Sequence, residues 1–149
     1  MKTRTLLSLL AGYFLSSIIA PGHCQVPCGI YADEVVFGEL ATDVATIRKA
    51  MTEINTLAAP DNGNPNQLVR WVNNKEAHAG NIQATIASYF LAQRIKMGLK
   101  DDQPERYARL LELAHRVTVL AMKCKQGTDS AQADALEEAL GEFRAAYEG

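Results

Sequence analysis

The 149-residue sequence has little of what marks a repetitive, disordered or nucleic-acid-binding chain. Its ten Gly and five Pro residues are not in excess, and it holds no low-complexity tract or internal repeat of solenoid period. Basic residues are also few: because Lys2 and Arg4 are two of the 15, 13 remain from His23 onward against all 17 acidic residues. A nucleic-acid binder needs a basic stripe to displace counterions from phosphates, so the charge argues against that class. The composition, 48% hydrophobic and 21% charged, is that of one globular domain.

No stretch shows the alternation of apolar and polar residues that predicts a half-buried strand. Four stretches instead place apolar residues at three- and four-residue steps, as amphipathic helices do. The predicted helices run from an Asp33 cap to about Ala58, from about Asn66 to Gly98, from an Asp102 cap through Pro104 to about Gln126, and from Asp129 or Ser130 to Tyr147. Their connections are short, so the sequence predicts an all-α fold, an antiparallel four-helix bundle over residues 32–149.

Each predicted helix has one apolar face that we expect to point into the core. These faces comprise Val36, Leu40, Val44, Ile47, Met51 and Ile54 in the first helix; Leu68, Val72, Ala79, Ile82, Ile86, Phe90 and Met97 in the second; Tyr107, Leu110, Leu113, Ala114, Val117, Leu120, Ala121 and Cys124 in the third; and Leu136, Ala139, Leu140, Phe143 and Tyr147 in the fourth.

The third predicted helix has a second apolar edge besides its core face. His115 lies there beside Leu111, Val119 and Met122, and this arrangement favours a subunit contact over a metal site. Cys124, in contrast, is on the core face, which favours a small buried residue over a ligand.

Residues 1–22 have the pattern of a secretory signal peptide. Lys2 and Arg4 precede a mostly apolar stretch from Leu6 to Ala20, and small residues precede a cut between Gly22 and His23. A membrane anchor is the alternative, but the stretch is shorter than the roughly 18 to 20 residues that a spanning helix needs. There is no adjacent Arg pair for a twin-arginine signal, and the sequence before Cys24 is a poor lipoprotein box. We expect export to the periplasm or the extracellular space, with no membrane attachment after cleavage.

Two of the three cysteines, Cys24 and Cys28, lie four residues apart directly after the predicted cut. Cleavage would leave five possible donors: the amine and imidazole of His23, the backbone nitrogen and thiolate of Cys24, and the thiolate of Cys28. The amine, the backbone nitrogen and two thiolates complete a square plane, which suits Ni(II) or Cu(II) better than tetrahedral Zn(II), and the imidazole can add an axial bond. A disulfide between Cys24 and Cys28 is the structural alternative in an exported protein. The pair is not Cys-x-x-Cys, so thioredoxin-like and haem-c readings lack support.

The stretch His-Cys-x-x-Pro-Cys-Gly-x-Tyr resembles the amino-terminal nickel hook of nickel-containing superoxide dismutases. His23, Cys24, Pro27, Cys28, Gly29 and Tyr31 all match. A second stretch, Lys75 to Ala79, is similar to one in the second helix of some family members, where others have Arg in place of His78. Gln25 departs from the pattern, since the family usually has Asp there.

The resemblance implies a superoxide dismutase that converts superoxide to oxygen and hydrogen peroxide by cycling one nickel ion per subunit between Ni(III) and Ni(II). It implies that His23, Cys24 and Cys28 hold the metal and that Tyr31 stands beside the open face as a catalytic residue that screens small anions. It also implies that Glu39 and His78 support the His23 ring. The family further implies a homo-oligomer, a hexamer of four-helix bundles. Because the overall charge does not attract an anion, any steering of superoxide must come from local Lys or Arg side chains.

The rival function is non-catalytic. An exported helical bundle could bind nickel or copper through the same hook for transport or storage, or a Cys24–Cys28 disulfide could simply close the segment. Residues 23–31 are the metal-binding hook if the protein is a dismutase, and a closed loop if Cys24 and Cys28 form a disulfide. Metal content and a superoxide assay on the mature protein separate these possibilities.

Overall fold

The computed structural model describes residues 33–149, which form helices and their connections and contain no strand. Four helices are long and one is a single turn. They are α1 (Asp33–Leu57), α2 (Pro65–Thr85), α3 (Leu99–Asp102), α4 (Pro104–Gln126) and α5 (Ser130–Glu148), and a π-helical segment (Ile86–Arg94) continues α2 directly. No helix within residues 33–149 is both long enough and apolar enough to cross a membrane.

The long helices are antiparallel, because polar contacts join the starts of α1, α4 and α5, and the middle of α2, to the end of a neighbour. The four contacts are Asp33 with Arg94, Lys75 with the Cys124 carbonyl, Arg106 with the Tyr147 carbonyl, and Asn55 with the Thr128 carbonyl just before α5. Each helix thus lies beside the next, and the last lies beside the first. The predicted antiparallel four-helix bundle is confirmed for this part of the chain.

The predicted core faces are confirmed for α1, α4 and α5. All six residues of the α1 face are buried, and in α4 and α5 every predicted core residue is buried except two half-buried tyrosines, Tyr107 and Tyr147. Cys124 is a buried core residue, as expected. On the second edge of α4, His115 is exposed, and Leu111 and Met122 are 36% and 40% exposed.

Three residues of the second predicted face are not in the core, and of these Leu68 is half-buried. Val72 is 36% exposed because Lys75, one turn later, already contacts the last carbonyls of α4, so this part of α2 extends beyond the end of its neighbour. Met97 is 70% exposed because the backbone becomes extended at Ile95 and the helical repeat stops there.

The prediction of one regular helix to Gly98 is wrong. The α-helix ends at Thr85, and the chain continues as a π-helix to Arg94, where the Ile95 N–H donates to the Phe90 carbonyl five residues earlier at 2.8 Å. Gly98 is in the ordinary right-handed region, with φ of −60°, and precedes the short helix α3 instead of closing the second helix. The wider π-helical turn buries Tyr89 and Phe90 side by side.

The Asp102 cap is also wrong. Asp102 ends α3, and the residue before α4 is Gln103, whose side chain makes no capping hydrogen bond. Pro104 does open α4, because its missing N–H costs nothing in the first turn. The fourth helix begins at Ser130, within the predicted range, and Asp129 caps it, since its carboxylate accepts from the Ala131 N–H at 3.0 Å.

An aromatic cluster fills the end of the bundle where α1 begins. The Phe90 ring lies 4.9 Å from Phe37, 5.0 Å from Phe143, 5.1 Å from Tyr89 and 5.3 Å from Tyr147, measured between ring centroids. Three of these contacts are edge-to-face, the geometry that aromatic quadrupoles favour. This end of the core is therefore densely packed directly behind the first turn of α1.

Candidate metal centre

The predicted metal donors His23, Cys24 and Cys28, and with them Tyr31, lie outside the described residues. Within residues 33–149 no three His, Cys, Asp or Glu side chains lie close enough together to hold a metal ion. Cys124 is fully buried, and burial raises the pKa of its thiol although nearby Lys75 opposes the shift. The bundle thus offers no competing donor set, while the thiols and nitrogens of residues 23–28 fit the ligand preferences of nickel.

A groove of about 640 Å³ runs between α1 and the second helix, that is, α2 with the π-helical segment that continues it. The groove begins at the first turn of α1. Gly38, Ala84 and Ser88 are small enough to leave this space open, and the rest of the lining is mostly polar. Glu39, which the family resemblance assigns to support of the His23 ring, is exposed on α1 and lines this groove. Asp43, one helical turn later, lines it too.

His78 bonds to Asp43 and not to Glu39. Its Nδ1 lies 2.5 Å from Asp43 Oδ1, and the side chains of His78 and Asp43 are 27% and 14% exposed. A carboxylate on Nδ1 fixes the orientation of the ring and leaves Nε2 for another partner. Sequence reasoning missed Asp43, although its spacing of four from Glu39 puts both carboxylates on one face of α1.

The Lys75–Ala79 motif serves two sides of the second helix. While His78 bonds to α1, Lys75 is 3% exposed and its Nζ donates to the carbonyls of Cys124 at 2.6 Å and Lys125 at 2.5 Å. Nζ also lies 3.0 Å from Glu76 Oε1. Lys75 therefore binds the end of α4, a structural contact that its place in the motif did not predict.

Asp33, the first residue of α1, accepts three hydrogen bonds. Tyr89 Oη donates to Oδ1 at 2.5 Å, and Arg94 Nη2 and Tyr147 Oη donate to Oδ2 at 2.5 and 2.8 Å. Burial opposes ionisation of this carboxyl, but the bonds from Arg94, Tyr89 and Tyr147 outweigh it and lower its pKa. Burial together with the bond to Asp33 raises the pKa of Tyr89 to about 12. Sequence reasoning saw Asp33 only as a helix cap and gave Arg94 no role.

Fold and sequence together define a class of protein: an all-helical antiparallel bundle preceded in the chain by a short motif with two thiols. The sequence model of the nickel-containing superoxide dismutases matches residues 18–149, and the chain belongs to this family. It is therefore an oxidoreductase that acts on superoxide with nickel as its cofactor. No curated protein and no solved structure matches the chain.

Proposed function

We propose that the mature enzyme begins at His23 and dismutes superoxide at one nickel ion held by His23, Cys24 and Cys28. The observation that carries this proposal is the family match over residues 18–149, a range that includes the complete hook motif. Nickel, when bound, supplies one-electron exchange between Ni(III) and Ni(II), so that one superoxide is oxidised to oxygen and a second, with two protons, is reduced to hydrogen peroxide.

The amino terminus is essential to this proposal because it creates a donor. In the precursor the His23 nitrogen is a peptide amide, which cannot act as an amine ligand. Cleavage after Gly22 would free the amine, which would then hold the metal together with the Cys24 backbone nitrogen. Cys24 and Cys28 bind as thiolates, so the site requires reducing conditions during loading.

In this proposal Tyr31 controls the access of small anions to the metal and does not bind the metal. A phenol near the metal would hydrogen-bond a small anion or block its approach without contributing a ligand. The proposal therefore separates Tyr31 from the cysteines: Tyr31 governs kinetics and inhibition, whereas the cysteines govern whether metal is held at all.

The groove between α1 and the second helix supports a place for the His23 ring. Ten residues separate His23 from Asp33, and a chain of that length can span roughly 33 Å. Glu39 and Asp43 lie only about 9 and 15 Å beyond Asp33 along α1, from the rise per residue of a helix. The hook can thus turn back over α1, where Glu39 and the His78–Asp43 pair offer hydrogen-bond partners to an imidazole.

Export and assembly complete the proposal. Residues 1–22 act as a removable signal peptide, and the mature enzyme works in the periplasm or outside the cell. It assembles as a homo-oligomer, a hexamer by family resemblance, and the exposed edge of α4 with Leu111, His115 and Met122 offers one apolar contact surface.

The test compares three chains: the uncleaved protein, the protein beginning at His23, and the protein with one extra residue before His23. Each is offered nickel or copper under reducing conditions, and metal content, free thiols and superoxide dismutation are measured. Only the chain beginning at His23 with nickel should reach full activity. Equal activity of the extended chain contradicts the amine ligand. Metal binding without dismutation would favour the transport or storage alternative, and loss of both free thiols in every preparation would favour the disulfide.

A further inference from the structure

Two of the three donors to Asp33, Tyr89 and Tyr147, are held in place by the core and not by Asp33 itself. Tyr89 is fully buried, with its ring centroid 5.1 Å from that of Phe90. The Tyr147 ring packs 5.3 Å from Phe90 and 5.7 Å from Phe37. Because packed aromatic rings in a dense core have little freedom to move, their hydroxyl groups are fixed points to which the Asp33 carboxylate is bound.

These bonds are also ones that water replaces poorly. The Asp33 and Arg94 side chains are only 24% and 29% exposed, and a carboxylate paired with a guanidinium forms charge-assisted bonds that are stronger than neutral ones. They join the start of α1 to the π-helical segment and to the last turn of α5. A helix end that would otherwise fray is thereby fixed at its first residue.

A fixed Asp33 limits where the hook can be. Tyr31 is two residues earlier and can lie no more than about 7 Å away along the chain, and Cys28, five residues earlier, no more than about 18 Å away. If the first turn of α1 came loose, each freed residue would lengthen the tether. Ordering one such residue again on metal binding weakens that binding by roughly five- to thirtyfold.

We infer that Asp33 is a positioning residue for the nickel hook, whose carboxylate, bound by Tyr89, Arg94 and Tyr147, anchors the segment that carries Tyr31 and the metal donors. This inference rests on the proposed function. It concerns how the bundle holds the hook, and it makes Asp33 neither a ligand nor a group that touches substrate.

The test is Asp33→Asn in the processed chain beginning at His23, with Glu34→Gln as the matched control. Glu34 is the next residue, is exposed, and is an acidic residue in the same first turn, so both variants lose one charge at the same helix end. Three quantities are measured: the rate at which a chelator removes nickel, the electron paramagnetic resonance spectrum of the oxidised nickel, and the thermal stability of the metal-free protein.

We expect nickel to leave Asp33→Asn about tenfold faster than it leaves the wild type or Glu34→Gln, from the loss of charge-assisted bonds. The spectrum should broaden in Asp33→Asn alone, because a loosely anchored hook samples more than one geometry. A residue that served only bundle stability would lower the melting temperature and leave the spectrum unchanged.

The inference is overturned if Asp33→Asn and Glu34→Gln release nickel equally fast and give equal spectra. If Asp33→Asn does not fold, Tyr147→Phe decides, since it removes one donor and keeps the ring; a release rate equal to that of the wild type overturns the inference, and a faster one supports it. A wild-type chain that binds no nickel overturns the proposed function as well. If the wild type binds nickel and Asp33→Asn releases it at the same rate, only the inference about Asp33 is overturned.

Discussion

Replacing Lys75 with Met should destabilise the bundle strongly while sparing the nickel site. Lys75 Nζ donates to the carbonyls of Cys124 and Lys125, which are among the last four of α4 and have no helical N–H to pair with. A cation at this point also complements the negative end of the helix dipole. Methionine keeps the apolar stem of the side chain and removes the donors, so the two carbonyls lose their partner.

The size of the effect follows from these contacts. Hydrogen bonds from a charged donor each contribute about 1.5–3 kcal/mol, and the pairing with half-exposed Glu76 adds about 0–1 kcal/mol. Against this, methionine avoids the cost of burying an ammonium group. We expect a net loss of about 3 kcal/mol in the free energy of unfolding, and a melting temperature lower by about 10 °C for a chain of this size.

The assay is thermal unfolding of the metal-free, reduced protein, followed by circular dichroism at 222 nm. Lys123→Met is the control, because Lys123 is an exposed lysine in the last turn of the same helix. It should stay within about 0.5 kcal/mol of the wild type. Nickel affinity should be equal in all three proteins, since Lys75 bonds to the end of α4, whereas His78, three residues later, bonds to Asp43 on α1. If Lys75→Met has the same melting temperature as Lys123→Met, the cost of burying the ammonium group offsets its hydrogen bonds completely. That result would contradict the expected loss of stability.

Three further predictions concern the site end of the chain. Cys24→Ser or Cys28→Ser should abolish nickel binding with the helix content unchanged, measured by metal analysis and circular dichroism; retained nickel and activity in either variant would contradict the ligand assignment. Tyr31→Phe should keep nickel and change the kinetics of dismutation or its inhibition by small anions, whereas loss of the metal would show that Tyr31 has a different role. Because Tyr89 has a pKa of about 12 in the folded protein and about 10 when unfolded, the stability it contributes is present below pH 10 and is lost as the pH rises through 12. The free energy of unfolding, measured with urea at pH 9 and at pH 11, should therefore fall less in Tyr89→Phe than in the wild type. An equal fall in the two proteins would mean that the Tyr89 phenol does not control stability between these pH values.

The parts of the fold that the sequence predicted are those that depend on one helix alone. The faces of α1, α4 and α5 follow the 3.6-residue period throughout, so burial could be predicted from spacing. The second helix changes to a five-residue hydrogen-bond pattern at Ile86, and the helix propensities of the residues there do not predict such a change. The error at Met97 and the error at Gly98 both come from extending the regular period through this segment.

The parts that the sequence missed depend on contacts between helices. Asp43 and His78 are 35 residues apart, and Asp33 and Tyr147 are 114 apart, so their pairing follows from how the helices pack and not from any spacing along the chain. The hook stays a prediction, and the sequence can suggest it because its chemistry is local: two thiols and a new amino terminus within six residues. Lys75 illustrates the reverse, since its motif suggested the metal site and its contacts belong to the end of α4.

The contacts at the two ends of the bundle therefore differ in what they stabilise. The aromatic cluster, the bonds to Asp33 and the opening of the groove lie together at the end where α1 begins. If Asp33 anchors the hook as we propose, a substitution there changes core packing and this anchorage together. At the opposite end, Lys75 closes α4 with contacts that touch neither the groove nor Asp33. We therefore expect that stability can be altered through the contacts of Lys75 with α4 without loss of nickel. Changes near Asp33 have to be judged by a property of the nickel itself, because a loss of activity there does not distinguish a loosened hook from a loosened core.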